Sequence, residues 1–326
     1  MGYLDLTLHP ERYHGRNRKP PFFEGWYFKL IDPTEDHRYA VIPGIFLNAN
    51  PAKTHAFIQV LDGQSGRSHY YEFPTAAFKV TDAPFSVQVA DNFFSLDRLS
   101  LNLTGGAIAL QGEVAFSGGQ GWPVTLDSPG IMGWFGWIPF MECNHGVCSF
   151  DHTINGTLKI DGTPVNFGGG RGYIEKDWGK SFPSAWVWMQ TNHFEQPGVC
   201  LTASIATVPF VRRTFGGFII GLWQGGKLFR FATYTGAKLE KLAVTDDDVH
   251  WVVRSNAHRL EMRATRAGGG LLHEPTRTEM HKRVEETLKA SVDVCLTTLD
   301  GGQPLFRGTG RNAGLEVQGN IATLRG

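Results

Sequence analysis

Apolar and polar residues alternate along nearly the whole chain, and no stretch sustains apolar spacing at i, i+3, i+4 and i+7 over three helical turns. This period of two allows one half-buried face per strand and excludes a helical bundle. Leu99, Leu101 and Leu103 lead into Gly105-Gly106, and Ile108, Leu110, Val114 and Phe116 follow in phase, which predicts a hairpin with a two-residue turn. Further turns are expected at Asp62-Gly63, Gly225-Gly226, Ser255-Asn256 and Asp300-Gly301-Gly302. Val284–Leu288 reads either as strand or as a short helical turn. Glycine (40) and proline (17) are abundant, as turn-rich β proteins require. The chain therefore reads as all-β with roughly twenty strands. Long antiparallel meanders remove their edges by closing into barrels. A composition break at Asp161-Gly162-Thr163-Pro164 and Gly168-Gly169-Gly170 divides the chain into residues 1–165 and 166–326. The expected architecture is thus two antiparallel β-barrel domains in tandem.

With 31 Lys+Arg against 31 Asp+Glu the formal charge is zero, which argues against nucleic acid as a ligand. Four cysteines in 326 residues make no disulfide framework and fit a reducing compartment. The first residues, MGYLDLTLHPERYHGRNRK, lack the apolar core of a signal peptide. The most apolar stretches, Ile131–Met141 and Phe215–Trp223, are too short to span a bilayer as helices. These features lead us to expect a cytoplasmic protein. The cluster Arg12, His14, Arg16, Arg18 and Lys19 reads either as a solvated arm or as a basic lip for anionic lipid headgroups at a membrane periphery.

Several motifs carry little chemistry. Gly168–Gly172 and Gly308–Gly314 lack G-x-G-x-x-G spacing and a following helix, so they read as turns. There is no phosphate-binding G-x-x-x-x-G-K-[ST] and no G-x-S-x-G elbow. Cys143, His145, Cys148 and His152 put four soft ligands within ten residues. On an extended strand Cys143 and His145 face one way and Cys148 and His152 the other, so no metal is assigned.

Three aromatic segments are richer. In FFEGWYFK (22–29), Glu24, Trp26 and Phe28 share a face; in YIEKDWGKSFP (173–183), Tyr173, Glu175 and Asp177 do; in WVWMQTNHF (186–194), Trp186, Trp188, Gln190 and Asn192 do. An acid among large aromatics is either salt-bridged, with Lys176, Lys180 or Arg171 as partners here, or held neutral by burial.

These segments, together with EMRATRAGGGLLHEPTRTE (261–279), resemble the tocopherol cyclases, which close a chromanol ring on a prenylated hydroquinone. The family is related to carotenoid hydratase-like proteins with two lipocalin-like barrels. The resemblance implies protonation of a prenyl alkene and capture of the tertiary cation by the phenol oxygen, with no cofactor and no metal. The substrate would be a small apolar prenylated aromatic. Such chemistry needs a desolvated carboxylic acid, aromatic faces for the cation and exclusion of water. By the family's Y-x-E-K-x-W-G pattern the acid is Glu175, with Glu24 and then Asp177 as alternatives; Asp177 stands where the plant pattern carries Asn. Tyr173 would hydrogen-bond the acid or the substrate oxygen. Trp26, Trp178, Trp186 and Trp188 would line the cation's path, and Gln190, Asn192 or His193 would orient the quinol hydroxyl. Hydration of a terpenoid alkene, a cyclisation guided by shape alone, and non-catalytic carriage of a quinone or lipid are the competing functions on such a scaffold.

Overall fold

The computed structural model describes residues 2–210, 213–300 and 304–325. After one short helix, α1 (Tyr3–Thr7), the alternating pattern becomes strands throughout. The first twelve are β1 (Phe22–Ile31), β2 (Arg38–Leu47), β3 (His55–Asp62), β4 (Ser68–Phe73), β5 (Phe78–Asp82), β6 (Phe85–Val89), β7 (Asn92–Ser95), β8 (Arg98–Leu103), β9 (Leu110–Ser117), β10 (Cys143–Ile160), β11 (Thr163–Asn166) and β12 (Gly170–Gly179). They form one sheet in the order β4-β3-β2-β1-β12-β10-β9-β8-β7-β6-β5, with β11 beside β10. The remaining strands are β13 (Trp186–Thr191), β14 (Cys200–Phe210), β15 (Arg213–Gln224), β16 (Lys227–Ala232), β17 (Lys238–Val244), β18 (Asp248–Arg254), β19 (His258–Thr265), β20 (Gly270–Pro275), β21 (Met280–Thr298) and β22 (Pro304–Gln318). Their order is β16-β15-β14-β13-β22-β21-β19-β18-β17, with β20 beside β21.

The chain divides into two compact units. The first is Met1–Phe182 with Gly270–Val284, and the second is Pro183–Gly269 with Glu285–Gly326. Each has its own core. In the first, Trp26, Phe28 and Leu30 of β1 meet Phe94, Leu99, Val114, Ile154 and Ile174. In the second, Val187 and Met189 of β13 meet Ile205, Ile220, Trp251, Met262, Val294 and Leu315. Each large apolar side chain so buried contributes about 1.5–3 kcal/mol.

The strand order is lipocalin-like and antiparallel, but the expected barrels do not form. In the first sheet β4 and β5 are the two ends of the path, and no ladder joins them although they are consecutive in the chain. Pro74 and the 3-10 turn Thr75–Ala77 separate them. β20 packs instead across one face of β3 and β4, where Ser68 Oγ donates to the Leu271 carbonyl at 2.7 Å and the Gln59 side chain bonds the His273 backbone. In the second sheet β16 and β17 are likewise unjoined ends. Their edges carry exposed Lys227, Arg230, Lys238, Glu240 and Lys241, and a register shift between Leu239 and Lys241 kinks β17. Charge and bulges guard an open edge as closure would.

Turn chemistry separates the accurate expectations from the others. Gln224 pairs with Lys227 across Gly225 and Gly226, both with positive φ (56° and 78°), which is the expected two-residue hairpin. The Gly105-Gly106 connection is longer: Leu103 pairs with Leu110, and Ile108 leaves the strand to be buried, its carbonyl accepting from Tyr71 Oη at 2.5 Å. Val284–Leu288 is strand, within β21. The turn expected at Gly301-Gly302 lies outside the described residues.

Candidate active site

Strand pairing decides which motif residues can meet. β12 lies between β1 and β10. Across these three strands Glu24, Trp178 and Asn144 are opposite one another, as are Trp26, Lys176 and Gly146. These residues share the side that carries the first core. One residue out of phase, Gly25, Asp177 and His145 align, then Tyr27, Glu175 and Val147, then Lys29 with Tyr173. Directly paired residues share a face and successive residues alternate. Glu24 and Glu175, the two leading acids from the sequence, therefore lie on opposite faces of one sheet.

On the core side Glu24 is fully buried in an ion pair with the equally buried Lys176. The His14 backbone N–H donates to both carboxylate oxygens of Glu24, at 3.0 and 2.9 Å. The Lys176 ammonium also donates to the Arg12 carbonyl at 2.5 Å and to His14 Nδ1 at 3.1 Å. It sits 4.6 Å from the ring centroid of Trp26 and 4.7 Å from that of Trp178. His14 stacks on Trp178 at 4.3 Å and its Nε2 donates to the Leu6 carbonyl at 3.1 Å. Trp26 Nε1 donates to the Glu11 carbonyl at 2.9 Å. Burial alone would raise the Glu24 pKa, but Lys176 and His14 bring it below the usual carboxylate value. Glu24 is thus an ionised latch that fastens the N-terminal segment to the sheet, and the Trp26 and Trp178 rings are engaged by a resident cation.

The other face holds a chain of polar groups. Tyr173 Oη donates to Glu175 Oε2 at 2.6 Å. His145 Nε2 stands 3.4 Å from the same oxygen, while His145 Nδ1 donates to Asp177 Oδ1 at 2.8 Å. Tyr173 and Glu175 are buried; His145 and Asp177 are partly exposed. Burial alone would depress His145, but Asp177 and then Glu175 outweigh it and raise the pKa to about 9. His145 is consequently an imidazolium at neutral pH, bridging two carboxylates. The ligand atoms of His145, Glu175 and Asp177 lie within 4.8 Å of one another. Metal binding there would have to displace the His145 proton.

The other soft ligands of β10 do not join this group. The Cys143 thiol is pushed well above its ordinary value by burial, Asp177 and Glu142. Cys148 packs against the first core and is pushed up to about 12, mainly by burial. His152 lies beyond two register shifts, bonded to Ser149 Oγ at 2.9 Å, with its pKa lowered to about 3 by burial. His145, weighed from the sequence only as a metal ligand, is the residue that the fold adds to Tyr173, Glu175 and Asp177. Its signal was in-phase placement with two acids on another strand, which spacing within β10 could not show.

The third aromatic segment belongs to the second unit. There Val187 and Met189 enter the core, and Trp186, Trp188 and Gln190 take the other face of β13. Trp186 Nε1 donates to Glu316 Oε2 at 2.6 Å, and Glu316 lies opposite both Trp188 and Glu286. Gln190 Nε2 donates to Cys200 Sγ at 3.6 Å. Asn192 Oδ1 is 3.0 Å from His193 Nδ1, and both residues are buried. Glu286 and Glu316, buried and partly buried, were not singled out from the sequence.

A shallow, solvent-open cleft in the first unit is lined by residues of α1 and of the segment 129–139 together with His14, Asn144, His145 and Trp178.

Comparison with known proteins agrees with this architecture. A family profile described as Tocopherol cyclase-like matches residues 113–319. A probable chloroplastic tocopherol cyclase of Oryza sativa subsp. japonica is 29% identical over 164 residues, covering 48% of this chain and 34% of that protein. The chloroplastic tocopherol cyclase of Zea mays is 25% identical over an alignment of 378 positions, covering 94% of this chain and 77% of that protein. The crystal structure of CghA with Sch210972 shares the fold, with a TM-score of 0.56 at 13% identity over 92% of this chain and 89% of that one. The chain spans about a third of the rice relative's length and most of the maize relative's. By a match that covers well over half of its residues, this chain belongs to the tocopherol cyclase-like family.

Proposed function

We propose that the chain is an acid-catalysed cyclase of a prenylated phenol or hydroquinone, with Glu175 as the proton donor. The observation that carries this reading is the cluster of Tyr173, Glu175, His145 and Asp177, in which Tyr173 donates to Glu175, His145 donates to Asp177 and an ion-pair contact of 3.4 Å joins His145 to Glu175.

The chain of groups holds one mobile proton. At rest it sits on His145, between the side chains of Glu175 and Asp177. An apolar prenyl tail placed against Glu175 displaces water and raises the affinity of that carboxylate for the proton. Transfer from His145 to Glu175 makes a carboxylic acid beside the alkene. Glu175 then protonates the alkene carbon, the tertiary cation is captured by the phenol oxygen, and the phenolic proton returns to the carboxylate. Atoms and charge balance, and no proton is consumed. Tyr173 steadies the Glu175 carboxylate when it is charged.

Incubation with a phytylated methyl-hydroquinol, kept reduced, is expected to give a chiral chromanol of unchanged mass on mass-resolved chromatography. A product heavier by one water would assign hydration instead, and substrate recovered bound but unchanged would assign carriage. The proton inventory predicts a pH dependence. His145 loses its proton above about 9, so kcat/KM should fall as pH rises through that value. His145→Gln removes the reservoir, and the basic limb should move to lower pH. The same limb in this variant as in the parent would remove His145 from the mechanism. The profile is read against Tyr27, Lys29, Cys143 and Glu142, the other ionisable groups on or beside this face.

A further inference from the structure

Of the ten large apolar side chains exposed among the described residues, six lie in α1 and the loop between β9 and β10. They are Tyr3, Leu4, Val124, Leu126, Trp134 and Phe140, with Leu126 76%, Leu4 67%, Phe140 65% and Trp134 48% exposed. The loop is chemically unusual for a surface. From Trp122 to Met141 its only charged residue is Asp127. It is also ordered by its own contacts. Thr125 and Ser128 exchange backbone hydrogen bonds and put Leu126 at a turn tip. Trp137 Nε1 donates to the Leu126 carbonyl at 2.9 Å, and the 3-10 turn Gly133–Trp137 presents Trp134. α1 and this loop both contribute to the lining of the cleft, which also includes Arg18.

Exposed apolar residues gathered at one place mark an interaction surface. The chemistry favours lipid over protein. The apolar groups are separate protruding tips and include Trp and Tyr, the residues that settle at the headgroup level of a bilayer. Beside them Arg18 and Lys19 are exposed and make no ion pair among the described residues, which supplies charge complementary to anionic headgroups.

We infer that α1 and the β9–β10 loop dock the first unit onto an anionic bilayer surface, with Leu126, Trp134 and Phe140 entering the headgroup–acyl boundary and Arg18 and Lys19 facing the headgroups. The inference does not depend on the reaction catalysed.

Co-sedimentation of the full chain with phosphatidylcholine vesicles, with and without phosphatidylglycerol, tests it without any substrate. Binding is expected to be about tenfold or more stronger to the anionic vesicles and to weaken with salt. Leu126→Ser, Trp134→Ser and Phe140→Ser together should abolish it. Arg18→Glu with Lys19→Glu should erase the anionic preference. All five positions are exposed, so circular dichroism should show unchanged folding. Trp134→Phe should keep binding but lose part of the quenching by brominated acyl chains. Failure of the parent protein to bind either vesicle would overturn the proposal. So would a dimer in sedimentation equilibrium that the triple loop variant converts to monomer, since the surface would then belong to a second copy.

Discussion

Glu175→Gln is expected to lower kcat for ring closure by about three orders of magnitude, while its thermal midpoint stays near that of the parent. Glutamine keeps the shape of the side chain and still accepts from Tyr173, at present 2.6 Å from Glu175 Oε2. It cannot carry a proton to carbon, and general acid catalysis by a positioned group contributes about 10²–10⁴ in rate. Tyr173→Phe removes a donor but no proton carrier, so a smaller loss of about tenfold is expected, in line with one hydrogen bond to a charged group. Single-turnover kinetics with enzyme in excess over substrate check both. A fully active Glu175→Gln enzyme would refute the acid assignment. A Glu24→Gln enzyme that folds should retain its chemistry, because Glu24 lies on the other face of the sheet.

The second large effect concerns stability. Lys176→Met should destabilise the protein by about 3–5 kcal/mol, the usual cost of stranding one member of a buried ion pair. Its ammonium holds Glu24, the Arg12 carbonyl and His14 Nδ1, and lies against two indole rings. Without it Glu24 remains buried and charged. Denaturant midpoints at constant m-value measure the loss. Pairing the change with Glu24→Gln should recover a large part of it, because the double variant strands no charge. The pH dependence distinguishes this cause from simple loss of packing. In the parent, Glu24 has a folded pKa below its ordinary value of 4.5, so its contribution is present above that value and is lost as pH falls through the folded pKa. In Lys176→Met the main counterweight to burial is gone, only His14 still favours the carboxylate, and the Glu24 pKa rises. The deficit should then shrink as pH falls, because protonation neutralises the stranded carboxylate.

The N-terminal cluster of basic residues illustrates why charge runs are poorly legible. Arg12, His14, Arg16, Arg18 and Lys19 read alike in the sequence, either as a solvated arm or as a basic lip for anionic headgroups. In the fold, Arg12 pairs with Asp5 at 2.9 Å and Arg16 with Asp82 at 2.7 Å, and His14 is buried in the Glu24 latch. Arg18 and Lys19 stay outside. The partner of Arg16, Asp82, comes from 66 residues away, a separation at which sequence spacing carries no information.

Alternation along the chain is a local property, and it determined the strands and the two faces of each one. Glu24 with Trp26, Tyr173 with Glu175 and Asp177, and Trp186 with Trp188 and Gln190 share faces because side chains on a strand repeat every two residues. The Gly225-Gly226 hairpin was equally local, since positive φ at two adjacent residues needs no help from elsewhere. The tertiary structure decided everything that depends on which strand lies beside which. It put Glu24 and Glu175 on opposite sides of β1 and β12, gave Glu24 a lysine and Glu175 a histidine, and drew His145 out of an apparent cluster of soft ligands on β10. It also left both sheets open where closure was expected, because a strand edge can be guarded by charge or a bulge. Register and edge pairing are set by packing among distant segments, and a one-residue change in register would exchange every one of these partners.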